Sequence, residues 1–143
     1  HLLDPMLVLF LLILIWAADI GAYFAGKLFG KTKLCPSVSP GKTLEGVFGG
    51  AALAQVVALL YVYVSTQALT QAPLLSDFLI FSFIALVISL VSVLGDLFES
   101  VLKRIAEVKD SGNILPGHGG ILDRIDSLTS SAPIFFLLIV FLL

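Results

Sequence analysis

The chain has 143 residues, of which 59% are hydrophobic and 13% charged, and its mean hydropathy is +1.10. Soluble domains run at about 45–50% apolar and about 25% charged, so this composition excludes an ordinary soluble domain and a disordered segment alike. Eight Lys and Arg against ten Asp and Glu leave a net charge of −2, which gives no footprint for nucleic acid, and the single Cys35 excludes an internal disulfide or a cysteine zinc cluster.

Long charge-free runs point instead to an all-α, polytopic membrane protein built as one membrane domain. A bilayer core of about 30 Å takes roughly 17–25 helical residues to cross. Four spans are predicted, at about residues 4–24, 45–66, 77–96 and 127–143. They lack the strict alternation of barrel strands. The first is not a secretory signal, because no basic leader precedes it and no small-residue cleavage site follows. The chain opens on His1 and closes inside an apolar run, so further spans upstream are expected.

Charge placement gives the orientation. Lys27, Lys31, Lys33 and Lys42 lie between spans one and two, and Lys103, Arg104, Lys109 and Arg124 lie between spans three and four. The remaining connection and both termini carry no Lys or Arg. The positive-inside rule then puts both charged loops in the cytoplasm. All acidic residues except Asp4 and Asp77 share that side, which leaves it near neutral. Gripping anionic lipid alone calls for excess positive charge. Interleaved carboxylates and cations suit a cytoplasmic-face polar cavity that holds divalent metal and polyanionic phosphate together.

The first charged segment begins at the end of span one, where helical spacing puts Asp19, Tyr23, Gly26 and Lys27 on one side. An ionisable residue at a membrane-helix end is a functional candidate by default, against the plainer reading of Asp19 as a solvated interfacial residue. Lys31 and Lys33 have topology and headgroup roles in any case. Further on, Ser39-Pro-Gly-Lys-Thr43 matches only the end of a phosphate-binding loop, since Pro36 stands where its first glycine belongs. Pro40 and Gly41 break the chain before a helix whose first turn holds Thr43 and Glu45. Two readings stay open there: a helix start receiving a phosphate beside Lys42, or a plain interfacial turn with an N-cap.

The second segment, residues 95–126, carries more. On a helix Asp96, Ser100, Lys103 and Glu107 share one stripe, with Glu99 and Arg104 flanking it. A solvated amphipathic face with i,i+4 pairs explains Glu99, Arg104 and Glu107. It does not explain Asp96, which directly follows 18 uncharged residues. Three glycines and a proline surround His118, a backbone able to approach a ligand closely. His118 has no second His or Cys at zinc-ligand spacing. Asp123 and Asp126 then sit three apart at the start of span four. That spacing serves Mg²⁺ shared with substrate phosphates, or an acidic first turn complementing the helix dipole.

Ser100-x-x-Lys103-Arg104-x₄-Lys109-Asp110-x-Gly112-x-x-Leu115-Pro116-x-His118-Gly119-Gly120-x-x-Asp123-Arg124-x-Asp126 resembles, without a gap across 27 residues, the signature of phosphatidate cytidylyltransferases. Asp19-x-Gly21-Ala22-Tyr23 and Ser39-Pro40-x-Lys42-Thr43-x-Glu45-Gly46 resemble further segments of that family, whose C-terminal half the chain resembles in a bacterial-type, inner-membrane form. The resemblance implies CMP transfer from CTP to phosphatidate, giving CDP-diacylglycerol and pyrophosphate with Mg²⁺; a second, monovalent cation stays open. It implies Asp96 and Asp123 as metal ligands with Asp126 beside them. Lys103, Arg104, Lys109 and Arg124 would neutralise phosphates, and Ser39, Lys42 and Thr43 would belong to the substrate cavity. Asp19, Ser100 and His118 join them as substrate-side candidates, and Lys103 joins the carboxylates as a candidate in the chemistry.

The bare chemistry agrees with such a reaction. A phosphate monoester is already ionised near neutral pH, so the transfer needs cations and positioning rather than a strong base. A CTP-dependent lipid kinase is the alternative enzyme, its nucleotide product being CDP. A transporter ranks behind both, because the polar groups cluster at one membrane face rather than along a path. A homodimer is a further expectation, since a bundle of few spans gains from a partner that encloses its cavity.

Overall fold

The computed structural model describes residues 4–68, 72–107 and 122–142. Helices α1 (Pro5–Phe29), α2 (Leu44–Ala68), α3 (Leu75–Ile105) and α4 (Leu122–Leu142) form the bundle, and strands β1 (Lys33–Cys35) and β2 (Ser39–Thr43) lie between the first two. The starts of the first three helices are chemically marked. Asp4 accepts from the Met6 N–H at 2.9 Å and Pro5 presets the first turn of α1. Thr43 Oγ1 caps α2 by accepting from the Gly46 N–H at 3.1 Å. The Asp77 carboxylate accepts from the Leu74 N–H at the head of α3.

α1, α2 and α3 are long and apolar enough to cross a membrane, with mean hydropathies of 2.3, 2.0 and 2.7 over their apolar windows. The apolar part of α4, Asp126–Leu142, is shorter. At about 1.5 Å per residue it covers about 25 Å, the lower limit for the span expected there. α3 is the longest element at 31 residues. It therefore extends by two to three turns beyond the predicted span at 77–96 and carries polar residues out past the apolar slab.

Neighbours in sequence are neighbours in space: α1 packs on α2, α2 on α3 and α3 on α4. Small residues make the first contact close. A Cβ added at Gly21 would meet the Gly49 carbonyl oxygen at 2.5 Å, and one at Gly50 would meet the Ala18 carbonyl oxygen at 2.6 Å. Lipid tails are as apolar as leucine, so such backbone-to-backbone packing is what holds membrane helices together. At the end remote from the charged loops, each helix contributes one ring to an aromatic cluster. Phe10 of α1 lies 4.4 Å from Tyr61 of α2, 5.5 Å from Phe81 of α3 and 6.1 Å from Phe135 of α4.

The segment expected to be a turn before α2 is instead the second strand of an antiparallel hairpin. Its register is irregular. Lys33 pairs with Thr43 but Cys35 pairs with Ser39, so β2 advances four residues while β1 advances two. Pro40 has no N–H to give the ladder and Gly41 has no side chain to pack, which allows the bulge at this point. A second departure concerns the stripe on α3. The helix ends at Ile105 and Glu107 has φ of 56°, so Glu107 leaves the face that Asp96, Ser100 and Lys103 share.

Candidate active site

The ends of the helices that carry the charged segments surround one cavity of about 260 Å³. Three elements supply its charged groups: Asp19 from α1, Lys42 from β2 and Asp96 from α3. Thr43, Ser89 and Ser92 add hydroxyl-bearing residues, and Ala18, Ala22, Val47, Ala51 and Val93 give it an apolar side. The close α1–α2 seam is what brings Asp19 beside the hairpin, because a bulkier residue at Gly21 or Gly50 would part the two helices.

Asp96 is the hub. Its Oδ2 accepts from Lys42 Nζ at 2.6 Å, and its Oδ1 accepts from Ser127 Oγ of α4 at 2.6 Å. The bulge in β2 explains how Lys42 reaches it, since bulges turn a side chain away from the regular strand face. Gly95 explains how α4 reaches it: a Cβ there would collide with the Ser130 side chain. Asp19 lies within electrostatic reach of Asp96, Asp126 and Lys42. Among the described residues, three carboxylates thus lie within reach of one ammonium, a balance that favours cations.

Two readings of the sequence change here. The α2 start does not offer a free anion nest, because Leu44 N–H donates to the Thr32 carbonyl and Gly46 N–H donates to Thr43. Thr43 is buried and acts as the helix cap while also lining the cavity. Glu99, taken from sequence as part of a solvated face, is only 7% exposed and lies 3.1 Å from Lys103 Nζ. Its i,i+4 spacing to Lys103 fits a solvated face equally well, so no signal in the sequence marks it.

The other predicted positions divide. Ser39 and Ser100 are half-buried outside the cavity lining, and Arg104 is exposed on the last turn of α3. Asp126 is half-buried beside Ser127, whose N–H donates to its Oδ1 at 2.7 Å. Lys109 and His118, and the side chains of Asp123 and Arg124, lie outside the described residues. Ser92 was not foreseen. It is 1% exposed and its hydroxyl faces the Asp19 carboxylate.

Among the described residues no three His, Cys, Asp or Glu side chains converge as a ready metal cage. The available donors are carboxylate and hydroxyl oxygens, the set that hard divalent cations take. Mg²⁺ in particular uses one or two carboxylates and completes its shell with phosphate and water. Asp96 and Asp126, joined through Ser127, meet that lesser requirement.

A family model described as the cytidylyltransferase family matches residues 4–142. The phosphatidate cytidylyltransferase of Haemophilus influenzae is 52% identical over 129 residues, covering 90% of this chain and 44% of its own length. That of Bacillus subtilis is 50% identical over 130 residues, with 90% and 46% covered. The chain therefore spans about half the length of these curated relatives. Its fold also resembles that of a solved intramembrane enzyme for archaeal membrane lipid biosynthesis, with a TM-score of 0.66 at 19% identity over 92% of this chain and 77% of that one. Since the family model takes in all four helices, the hairpin and every residue of the cavity, the chain belongs to the cytidylyltransferase family.

Proposed function

We propose that the protein transfers CMP from CTP to phosphatidate, forming CDP-diacylglycerol and releasing pyrophosphate at the cytoplasmic face of a bacterial inner membrane. The observation that carries this reading is the meeting of Asp19, Lys42 and Asp96, from three separate elements, in one cavity at the charged end of an apolar bundle. Relatives of that named activity at about half identity support the choice of substrates. The cavity has an ionic side and an apolar side, which suits a nucleotide arriving from water and a lipid arriving from the leaflet.

In the reaction a phosphate oxygen of phosphatidate attacks the α-phosphorus of CTP. The bond from that phosphorus to the bridging oxygen breaks, and pyrophosphate leaves with the electron pair. The attacking oxygen is already ionised, so no side chain has to remove a proton. Asp96 and Asp126, with Asp123 as the resemblance implies, would hold Mg²⁺, which when bound offsets charge on the phosphates. Ser127 fixes the rotamer of Asp96 by donating to Oδ1, which leaves Oδ2 directed into the cavity. Lys42 is already held at that oxygen, so its ammonium stands where an incoming phosphate can take it over. Lys103 and Arg104, farther along α3, extend the cationic surface outward to receive the leaving pyrophosphate.

The test is pyrophosphate release from CTP by detergent-purified protein with Mg²⁺, with and without phosphatidate, beside Asp123→Asn. Release that needs phosphatidate and disappears in the variant is the expected result. Conversion of CTP to CDP without pyrophosphate would replace this reading by the lipid-kinase one.

A further inference from the structure

A cation of the protein's own already stands at the central carboxylate of the cavity. Lys42 Nζ lies 2.6 Å from Asp96 Oδ2, while Ser127 Oγ donates to Oδ1 at 2.6 Å. Ser127 is buried on α4, so the carboxylate can turn another oxygen to the cavity only by breaking that bond. Lys42 arrives from β2, past the irregular register of the hairpin and 54 residues away in sequence. The pair is thus made by the tertiary fold rather than by neighbouring turns of one helix. Its side chains are 26% and 25% exposed. An ion pair this open to water adds little to stability, so it can exchange partners at small cost.

The same carboxylate is the one read above as a ligand for Mg²⁺. An ammonium in contact with Oδ2 and a divalent cation on that carboxylate repel each other across a few ångströms. Asp19 lies within electrostatic reach of both Lys42 and Asp96. Among the described residues, the ammonium therefore balances only part of the carboxylate charge. A nucleotide alone meets the remaining negative charge, and a metal alone meets the ammonium. Neither is favoured without the other. When both come together, the phosphates take up Lys42 and Asp96 is left for the metal they bring. Such a coupling is reciprocal, each ligand raising the affinity for the other.

We propose that Lys42 holds Asp96 against divalent metal until nucleotide arrives, so that the cavity takes up a metal–nucleotide complex rather than metal first. For the nucleotide this rests on the cytidylyltransferase reading above, but the competition at Asp96 is measurable with metal alone. A purely structural ion pair makes the opposite forecast. Removing Lys42 would then leave metal binding unchanged, or weaken it by loosening Asp96.

Mn²⁺, which takes the same oxygen donors as Mg²⁺, is titrated into detergent-purified protein without nucleotide, and the free ion is read by electron paramagnetic resonance. Lys42→Met should lower the Mn²⁺ dissociation constant about 10-fold relative to wild type, the scale of removing one unit charge a few ångströms from a divalent cation. Lys42→Arg keeps the charge and should bind Mn²⁺ as weakly as wild type. Adding Asp96→Asn to Lys42→Met should abolish the gain, which assigns the gained site to Asp96. Each variant's thermal unfolding midpoint is recorded beside it, and Lys42→Gln carries the test if Lys42→Met fails to fold. A neutral residue at position 42 that binds Mn²⁺ no tighter than wild type would overturn the proposal. So would an equal gain in Lys42→Arg, or a gain that survives Asp96→Asn. Equilibrium dialysis of wild type against CTP in Mg²⁺ is the separate arm. No binding there would overturn the cytidylyltransferase reading, whatever the Mn²⁺ titrations give.

Discussion

Lys42 and Asp96 come from positions 54 residues apart and meet at 2.6 Å, with both side chains about one quarter exposed. A pair so accessible to water contributes at most about 1 kcal/mol to folding, so its energetic role lies with ligands. Lys42→Met should accordingly leave the unfolding midpoint nearly unchanged while lowering pyrophosphate release about 100-fold, the loss typical of removing one fixed donor from a developing charge. A fall in both together would reassign Lys42 to the fold. Asp96 was legible in the sequence because a carboxylate after 18 uncharged residues has no bland explanation. Glu99 was not, since i,i+4 spacing to Lys103 looks the same on a solvated face as on a buried one. Only the packing of α4 against α3 decides which face is covered. Ser92 was hidden for a related reason: a serine in an apolar span marks nothing until its neighbours Asp19 and Asp96 are in place.

Helices were legible from hydropathy, but their contacts depend on residues that hydropathy ignores. Ala18, Gly21, Ala22, Gly46, Gly49 and Gly50 form the α1–α2 seam, and their spacing was present in the sequence as a small-residue pattern. Gly21→Val places a branched side chain against the Gly49 backbone, where nothing flexible can yield. Overpacking of this kind costs about 1–3 kcal/mol. Asp19 would also shift away from the hairpin, so both the unfolding midpoint and activity should fall together. Gly41→Ala provides the contrast, because a Cβ there meets nothing within 4 Å. Full activity in Gly21→Val would show that the seam does not position the cavity. The hairpin itself escaped the sequence reading because Ser-Pro-Gly reads as a chain break. Its strand character arises from pairing with Lys33–Cys35 rather than from local preference.

On the scale of the whole molecule, the polar cavity and the aromatic cluster occupy opposite ends. The Phe10–Tyr61–Phe81–Phe135 cluster ties all four helices together away from the cavity. That leaves the cavity end free to carry half-exposed charges, which a marginal core could not tolerate. The separation also makes orientation a testable property. Among the described residues Lys27, Lys31, Lys33, Lys42, Lys103 and Arg104 lie at the cavity end, on the last turns of α1 and α3 and on the hairpin between α1 and α2. Basic residues gather on the cytoplasmic side of membrane proteins, so the hairpin should face the cytoplasm. Cys35 is the single cysteine and sits on β1, and the exposed Ser37 lies in the hairpin turn. A membrane-impermeant maleimide should therefore label Ser37→Cys in inside-out vesicles and leave it unlabelled in intact spheroplasts, with Cys35→Ser as the background. Labelling from the outer side would place the cavity on the wrong face for a nucleotide triphosphate. In that case the lipid and nucleotide substrates proposed for it could not meet there.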